Sequence, residues 1–165
     1  MIFHASIPAD DPERVARVIA ELWRREYFPF VLPRTFIVFA DDEVGTEVEI
    51  APRGHEIVPA EKQLGLQANP SPSPFNEVHL NIATPLTFDE VQVIARREGW
   101  TARICDRGGA FNVIEFWVEN KFLLELMTAH ELQRYKSVSK TAVWRAMLAK
   151  GLPPLDAHSA GVPDS

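Results

Sequence analysis

The spacing of apolar positions near the start of the chain predicts a strand followed by a helix. Residues 2 to 7 have the alternating apolar and polar side chains of a strand. Asp11 is a suitable N-cap, and Pro12 suits the first helical position. One face of the predicted helix is then formed by apolar residues at helical spacing: Val15, Val18, Ile19, Leu22 and Trp23.

Two further strands are predicted after this helix. Residues 35 to 40, "TFIVFA", and residues 46 to 50, "TEVEI", are rich in β-branched and aromatic side chains, and the turn sequence "DDEVG" separates them. Residues 28 to 32 are expected to add a short edge strand. Residues 52 to 75 differ in character, because they contain Gly54, Gly65 and the sequence "NPSPSP", a composition that resists regular structure. This segment is predicted to connect two halves of the chain.

The second half repeats the order of elements of the first. A strand is predicted at residues 77 to 83, and Thr87 and Glu90 then have the spacing of a capping box. The helix that follows presents Phe88, Val91, Ile94 and Ala95 on one face and is expected to end at Gly99. Three strands are predicted after it, at residues 101 to 106, 113 to 119 and 122 to 128.

Self-similarity at a fixed offset is a strong signal of an internal repeat. His4 and His79 are 75 residues apart, and Glu49 and Glu125 are 76 residues apart. The predicted fold class is therefore α+β, with two tandem βαβββ modules and a C-terminal helix. The predicted boundaries are 1–52 for the first module, 53–75 for the linker, 76–128 for the second module, 129–151 for a helical extension and 152–165 for a disordered tail.

The C-terminal extension lies outside the repeat. Ser139 could cap a helix that runs to Lys150, because Val143, Trp144, Met147 and Leu148 form an apolar stripe. We expect this helix to dock on the core or on a second subunit.

Composition narrows the range of functions. The formal net charge is −6, and Lys and Arg are scattered without a basic stripe, which argues against nucleic acid or an anionic membrane as the partner. No apolar run approaches the roughly 20 residues that span a bilayer. The single cysteine, Cys105, cannot form an internal disulfide, so a cytoplasmic location is expected. The expected partner is a small molecule or a protein.

The repeated residues are predicted to share one face of their sheets. Side chains alternate along a strand, so His4 and Ser6 oppose an apolar face, and so do His79 and Asn81. By the same alternation, Glu49 and Glu125 also lie opposite the face that carries the helix.

At these positions residues 1 to 128 resemble the vicinal oxygen chelate superfamily, which includes glyoxalases, bleomycin-resistance proteins and extradiol dioxygenases. The resemblance implies that the two modules form a cup-shaped mixed sheet, and that the first and last strands of each module supply metal ligands. Those ligands are then His4 in "FHASI", Glu49 in "TEVEI", His79 in "VHLNI" and Glu125 in "LLELM". A homodimer is expected, and the cup could be completed within one chain or across two.

The chemistry of this ligand set supports a divalent metal. Two imidazoles and two carboxylates suit Zn, Ni, Co, Mn or Fe, and leave positions for water or a chelating substrate. Such an ion polarises a carbonyl group, and Glu125 or Glu49 could act as general base. The sequence therefore predicts a glyoxalase-type lyase or isomerase, rather than a dioxygenase, whose small substrate chelates the metal through vicinal oxygens.

The predicted substrate-binding residues are neighbours of the ligands on the same strands: Ser6, Asn81, Phe116, Trp117, Leu123 and Met127. Phe116 and Trp117 are consecutive, so only one of them can face the pocket. Two alternative functions stay open. A metal-free cup could sequester an aromatic or drug-like compound, as bleomycin-resistance proteins do, or the chain could be a structural or regulatory subunit whose C-terminal helix is the interface.

Overall fold

A computed structural model describes residues 2–61 and 64–151 of the chain. The predicted disordered tail, residues 152–165, lies outside the described residues. The elements in chain order are β1 (His4–Ala9), α1 (Pro12–Trp23), β2 (Tyr27–Pro29), β3 (Phe36–Phe39), β4 (Glu47–Pro52), β5 (His55–Pro59), β6 (Leu64–Ala68), β7 (Leu80–Ala83), α2 (Phe88–Glu98), β8 (Thr101–Asp106), β9 (Asn112–Val118), β10 (Phe122–Met127), α3 (Ala129–Val138) and α4 (Thr141–Lys150).

The two halves form two four-stranded mixed sheets of the same topology. The strand order is β1-β4-β3-β2 in the first sheet and β7-β10-β9-β8 in the second. In each sheet the first strand of the module pairs in parallel with the last strand, and the other pairs are antiparallel. The predicted fold class, two βαβββ modules with a C-terminal helical region, is confirmed.

The helix ends follow the capping residues of the sequence. The side chain of Asp11 accepts a hydrogen bond from the backbone N–H of Arg14 at 3.2 Å, and Pro12 is the first helical residue of α1. At α2, Thr87 and Glu90 form both hydrogen bonds of a capping box. Gly99 ends α2 with a φ of 71°, a left-handed conformation that favours glycine.

One hydrophobic core joins the two modules. It combines the apolar faces of α1 and α2 with the sheet residues that face them, among which Ile50, Phe116 and Leu124 are fully buried. Both sheets therefore direct one face at this core. We call the opposite face of each sheet its outer face, and it carries the polar positions of the alternating pattern.

The connection between the modules contains regular structure that the sequence pattern does not predict. β5 and β6 pair as an isolated antiparallel hairpin, with His55 opposite Ala68. Gly54 adopts a φ of 99° just before the hairpin, and its carbonyl accepts a hydrogen bond from the N–H of Asn69 at 2.8 Å. The hairpin exposes Ile57 and Leu66, so no apolar alternation against a core marks these strands.

The C-terminal region forms two helices instead of the single predicted one. Ser139, the predicted N-cap, closes α3, since its backbone N–H donates to the carbonyl of Tyr135 at 2.8 Å. Lys140 is the N-cap of α4. No residue of α3 is buried, so α3 lacks the apolar stripe that predicts a helix from sequence.

Several predicted strand boundaries shift by two or three residues. β7 begins at Leu80 and not at residue 77. Before it, the chain forms a local turn in which the backbone N–H of Val78 donates to Oδ1 of Asn76 at 3.0 Å. His79 therefore lies just before β7. The predicted edge strand at residues 28 to 32 is β2, Tyr27–Pro29. Among the described residues, no helix combines the length and apolar character needed to cross a membrane.

Candidate functional site

The first module places two of the predicted ligands on its outer face. In the parallel pair of β1 and β4, His4 lies opposite Glu47 and Ser6 lies opposite Glu49. The hydroxyl of Ser6 donates to Oε2 of Glu49 at 2.5 Å. Nδ1 of His4 is 4.0 Å from Oε1 of Glu47, so this imidazole approaches the neighbouring glutamate. We call His4, Ser6, Glu47 and Glu49 the first half-site.

The second module repeats this arrangement with different polar groups. Glu125 lies opposite Asn81 in the parallel pair of β10 and β7. Nδ2 of Asn81 donates to Oε2 of Glu125 at 3.2 Å, and Nε2 of His79 is 3.8 Å from the same oxygen. We call His79, Asn81 and Glu125 the second half-site. In both modules a polar side chain of the first strand thus binds the carboxylate of the last strand.

A network of charged residues adjoins the second half-site. Arg107, one residue after β8, donates a short hydrogen bond from Nη2 to Oε1 of Glu125, and the same nitrogen is 3.1 Å from Oε1 of Glu115. Arg103 donates to Oε2 of Glu115 at 2.8 Å. Register places Glu125, Glu115 and Arg103 side by side across three neighbouring strands. Two carboxylates are therefore balanced by two guanidinium groups.

The charges of this network shift the pKa values of its members. Burial raises the pKa of Glu115, but hydrogen bonds from Arg103 and Arg107 outweigh burial and hold that pKa below its ordinary value. Burial likewise lowers the pKa of Arg107, and the hydrogen bonds to Glu125 and Glu115 more than compensate, so that its pKa lies above the ordinary value. For Cys105, burial and then the charge of Glu115 raise the pKa of the thiol. Glu115, Arg103 and Arg107 are therefore charged at neutral pH, and the thiol is protonated.

Within one chain the four predicted ligands do not converge. His4 and Glu49 belong to the first sheet, and His79 and Glu125 belong to the second. Across residues 2–61 and 64–151, no group of three or more His, Cys, Asp and Glu side chains is placed to hold a metal ion. The donor types fit a divalent metal. In one chain His79 approaches Glu125 at 3.8 Å, whereas His4 approaches Glu47 and Glu49 is paired with Ser6.

The predicted substrate-binding residues fall into different environments. Phe116 is fully buried in the core and packs edge-to-face on Trp100, with ring centroids 5.7 Å apart, so it does not face the outer side. Trp117 and Leu123 lie opposite each other on the outer face beside Glu115 and Glu125. Of the two consecutive aromatic residues, Trp117 is therefore the one that can contact a ligand there.

Met127 lies on the same side of β10 as Glu125 but is only 1% exposed. It sits at the end of β10, the strand that α3 contacts. Met127 is thus buried by packing within one chain.

A cleft of about 590 Å³ lies where the two modules meet. The end of α1 forms one side of the cleft with Trp23 and Arg25, and α3 contributes Leu132. Asn81 also lines the cleft, so this residue connects the cleft to the second half-site. Of the predicted substrate-binding residues, Asn81 is the one that lines it.

Sequence reasoning missed the charged network. Glu115 could have been placed on the outer face, because it lies two residues from Trp117 on a strand that alternates. Arg107 follows β8 at a turn that contains Gly108 and Gly109, and alternation does not define the direction of a side chain in a turn. Its contact with Glu125 required the three-dimensional structure.

Comparisons with known proteins identify the fold. No family model matches the chain, and no curated protein sequence matches it significantly. Among solved structures, the fosfomycin resistance protein FosX from Mesorhizobium loti is 18% identical with a TM-score of 0.51, covering 82% of this chain and 97% of that one. FosX from Listeria monocytogenes is 14% identical with a TM-score of 0.53, covering 81% and 97%.

A variant of the Listeria monocytogenes protein, solved as a complex with Mn(II) and 1S,2S-dihydroxypropylphosphonic acid, is 13% identical with a TM-score of 0.52, covering 83% of this chain and 96% of that one. At these identities the similarity establishes the shared fold and leaves the reaction of this chain open.

Proposed function

Since the chain has the fold of the vicinal oxygen chelate superfamily, we propose that it is a metal-dependent enzyme of the glyoxalase type. The proposed reaction is that of a lyase or isomerase on a small substrate with adjacent oxygen atoms. One observation carries this proposal. In both modules a carboxylate on the last strand accepts a hydrogen bond from a side chain on the first strand, and a histidine lies two residues before that donor.

His4, Glu49, His79 and Glu125 would hold the metal ion, whose identity among Zn, Ni, Co, Mn and Fe is open. When bound, such an ion supplies Lewis acidity toward a carbonyl or similar oxygen. Support for a divalent ion comes from the donor types and from the related fold that was solved with Mn(II).

The protein residues orient and activate the substrate in this proposal. Ser6 and Asn81 fix the carboxylates of Glu49 and Glu125 by hydrogen bonds, as second partners of metal-binding groups commonly do. Glu49 or Glu125 acts as the general base that removes a proton from the substrate. Trp117 and Leu123 would exclude water on the side of the second half-site.

We further propose that the complete site forms between two copies of the chain. One chain carries the two half-sites on different sheets, and a two-fold symmetric dimer can bring the first half-site of one copy to the second half-site of the other. Each dimer would then contain two equivalent sites.

Metal titration tests the ligand set. Chelator-treated protein is titrated with Mn²⁺, Ni²⁺ and Zn²⁺ by calorimetry, and we expect about one ion per chain. Glu49→Gln and His79→Ala should each weaken binding by more than about 100-fold, because each removes a direct ligand. His130→Ala is the matched control, since His130 is exposed and contacts Glu131 outside both half-sites. Unchanged affinity in the two ligand variants would refute the proposed ligand set.

Subunit mixing tests the position of the site. One variant carries Glu49→Gln and the other carries Glu125→Gln, and neither homodimer should bind metal tightly. A mixed dimer has one intact site if the half-sites meet across the subunits, and none if each site lies within one chain. Recovery of about half an ion per chain in the mixed dimer is therefore expected. No recovery in mixed dimers that are shown to form would exclude the intersubunit site.

The second candidate function is a metal-free binding module for an aromatic or drug-like compound. The observation in its favour is that Arg107 already supplies a positive charge to Glu125. The same titration separates the two functions, since a metal-free module binds no ion tightly in any variant.

A further inference from the structure

Both oxygens of Glu125 are engaged by neighbouring side chains. Oε1 accepts the short hydrogen bond from Arg107, and Oε2 accepts the hydrogen bond from Asn81 at 3.2 Å. The carboxylate is mostly buried, with a side chain that is 13% exposed, so its pair with Arg107 is only partly screened by water. A cation that binds Glu125 must compete with this guanidinium.

The equivalent carboxylate of the first module has no such competitor. In the described part of the chain, Glu49 has Ser6 as its side-chain partner, and no arginine contacts it. Register explains the difference. Ile37 lies beside Glu49 in the position that Glu115 holds beside Glu125, so the first sheet lacks the acidic residue that holds Arg107 in place.

The geometry allows Arg107 to leave Glu125 without losing its second partner. Its Nη2 is already 3.1 Å from Oε1 of Glu115, and its side chain is 32% exposed. The backbone of Arg107 is fixed by hydrogen bonds with Phe111 at 2.8 Å and with Ala110 at 3.2 Å. A rotation of the side chain alone would therefore transfer the guanidinium wholly to Glu115.

We propose that Arg107 is a displaceable internal counter-ion of Glu125, which a divalent cation must move aside before it binds the second half-site. This inference rests on the proposed function. It adds that Arg107 weakens the affinity of the protein for its metal. Glu115 acts as the residue that receives the guanidinium after the exchange.

The experiment compares cation affinity in three proteins: the wild type, Arg107→Gln and Arg103→Gln. Mn²⁺ is the probe, and electron paramagnetic resonance of the free ion measures binding without any substrate. Removing the competitor should tighten Mn²⁺ binding by about tenfold or more, because the ion then displaces no charge-assisted hydrogen bond from Glu125. Arg103→Gln is the matched control, because Arg103 contacts Glu115 but not Glu125. Its affinity should stay within about twofold of the wild type.

A second variant keeps the test decisive if Arg107→Gln folds poorly. Arg107→Lys retains a positive charge without the two-pronged guanidinium, so its affinity should lie between those of the wild type and Arg107→Gln. Thermal unfolding with and without Mn²⁺ checks the order of affinities, since tighter binding raises the melting temperature more.

The possible results separate the two proposals. Equal or weaker Mn²⁺ binding by Arg107→Gln, in a wild type that does bind Mn²⁺, overturns the role of Arg107 and leaves the proposed function intact. Absence of binding in all of these proteins overturns both. Tighter binding by Arg107→Gln alone supports both.

Discussion

Glu98, the last residue of α2, gives a quantitative test of how the two modules are held together. Its side chain is only 4% exposed and is surrounded by three arginines. Arg14 and Arg17 of α1 approach it at 2.7 and 3.2 Å, and Arg97 approaches at 2.8 Å. Because α1 belongs to the first module and Glu98 to the second, this cluster links the modules electrostatically.

The pKa of Glu98 gives the size of the effect. Burial alone raises this pKa, but the hydrogen bonds from Arg14, Arg97 and Arg17 outweigh burial and lower it from 4.5 to about 2. Each pKa unit corresponds to about 1.36 kcal/mol, so ionised Glu98 stabilises the folded chain by about 3 kcal/mol at neutral pH. The arginines are partly exposed and can be hydrated in a variant, so Glu98→Gln should lower the free energy of unfolding by about 2 to 3 kcal/mol at pH 7.

Urea denaturation of the wild type and Glu98→Gln between pH 7 and pH 3 measures this contribution. The folded-state pKa is depressed, so the stabilisation is complete above the unfolded value of about 4.5 and is lost as the pH falls toward 2. The difference in unfolding free energy between the two proteins should be constant from pH 7 to about pH 5.5. It should fall to about half by pH 3.

Glu21→Gln is the control for this experiment. Glu21 pairs with Arg97 at 2.6 Å, but its side chain is 41% exposed. An exposed pair contributes less than about 1 kcal/mol, so this variant should be close to the wild type at every pH. A loss below about 0.5 kcal/mol for Glu98→Gln at pH 7, or a loss that does not change with pH, would refute the electrostatic reasoning.

Three further predictions concern local features. Thr87→Ala removes the side-chain acceptor of the α2 capping box and should cost about 1 kcal/mol in urea denaturation, whereas a cost near zero would show that the cap is dispensable. Phe116→Ala should cost about 3 to 5 kcal/mol because it opens a cavity in the core, while Trp117→Ala on the outer face should cost less than half as much, and equal losses would contradict the assignment of faces. Cys105 in the folded chain should react with iodoacetamide at a higher pH midpoint than in urea, because burial and Glu115 raise the pKa of its thiol, and the reverse order would contradict this.

Local sequence signals predicted the regular framework because their physics is local. Asp11 and Thr87 start helices with their own side chains, and Gly99 ends one by adopting a left-handed conformation. Alternation assigned residues to strand faces correctly for Glu49 and Glu125, which both lie on outer faces. These features depend on a few neighbouring residues, so a single sequence is sufficient to find them.

The features that were missed depend on contacts with distant parts of the chain or on weak patterns. The hairpin of β5 and β6 is exposed, so no alternation against a core marks its strands. α3 buries no residue, so it lacks the apolar stripe that marks a helix, and although Thr128 and Glu131 have capping-box spacing, no side-chain cap hydrogen bond forms there. The contact of Arg107 with Glu125 joins a turn to a strand 18 residues away, and the direction of a side chain in a turn is not encoded in periodicity.

The duplicated modules have kept one part of the outer face alike and have changed the part beside it. A histidine, a hydrogen-bond donor and a glutamate recur in both modules, but the next strand carries Ile37 in one sheet and Glu115 in the other. On the strand after that, Phe28 lies beside Ile37 in the first sheet, and Arg103 lies beside Glu115 in the second.

If a dimer brings the first half-site of one copy to the second half-site of the other, the residues that the two modules share meet at the centre. A ligand bound there then has an apolar wall on one side and a charged wall on the other. Such a site distinguishes the two ends of its ligand, since an apolar group gains from burial beside Phe28 while a polar group keeps its hydrogen bonds beside Arg103. The residues that the two modules share therefore determine what binds at the centre of the site. The residues that differ between the modules determine the orientation of the molecule that binds there.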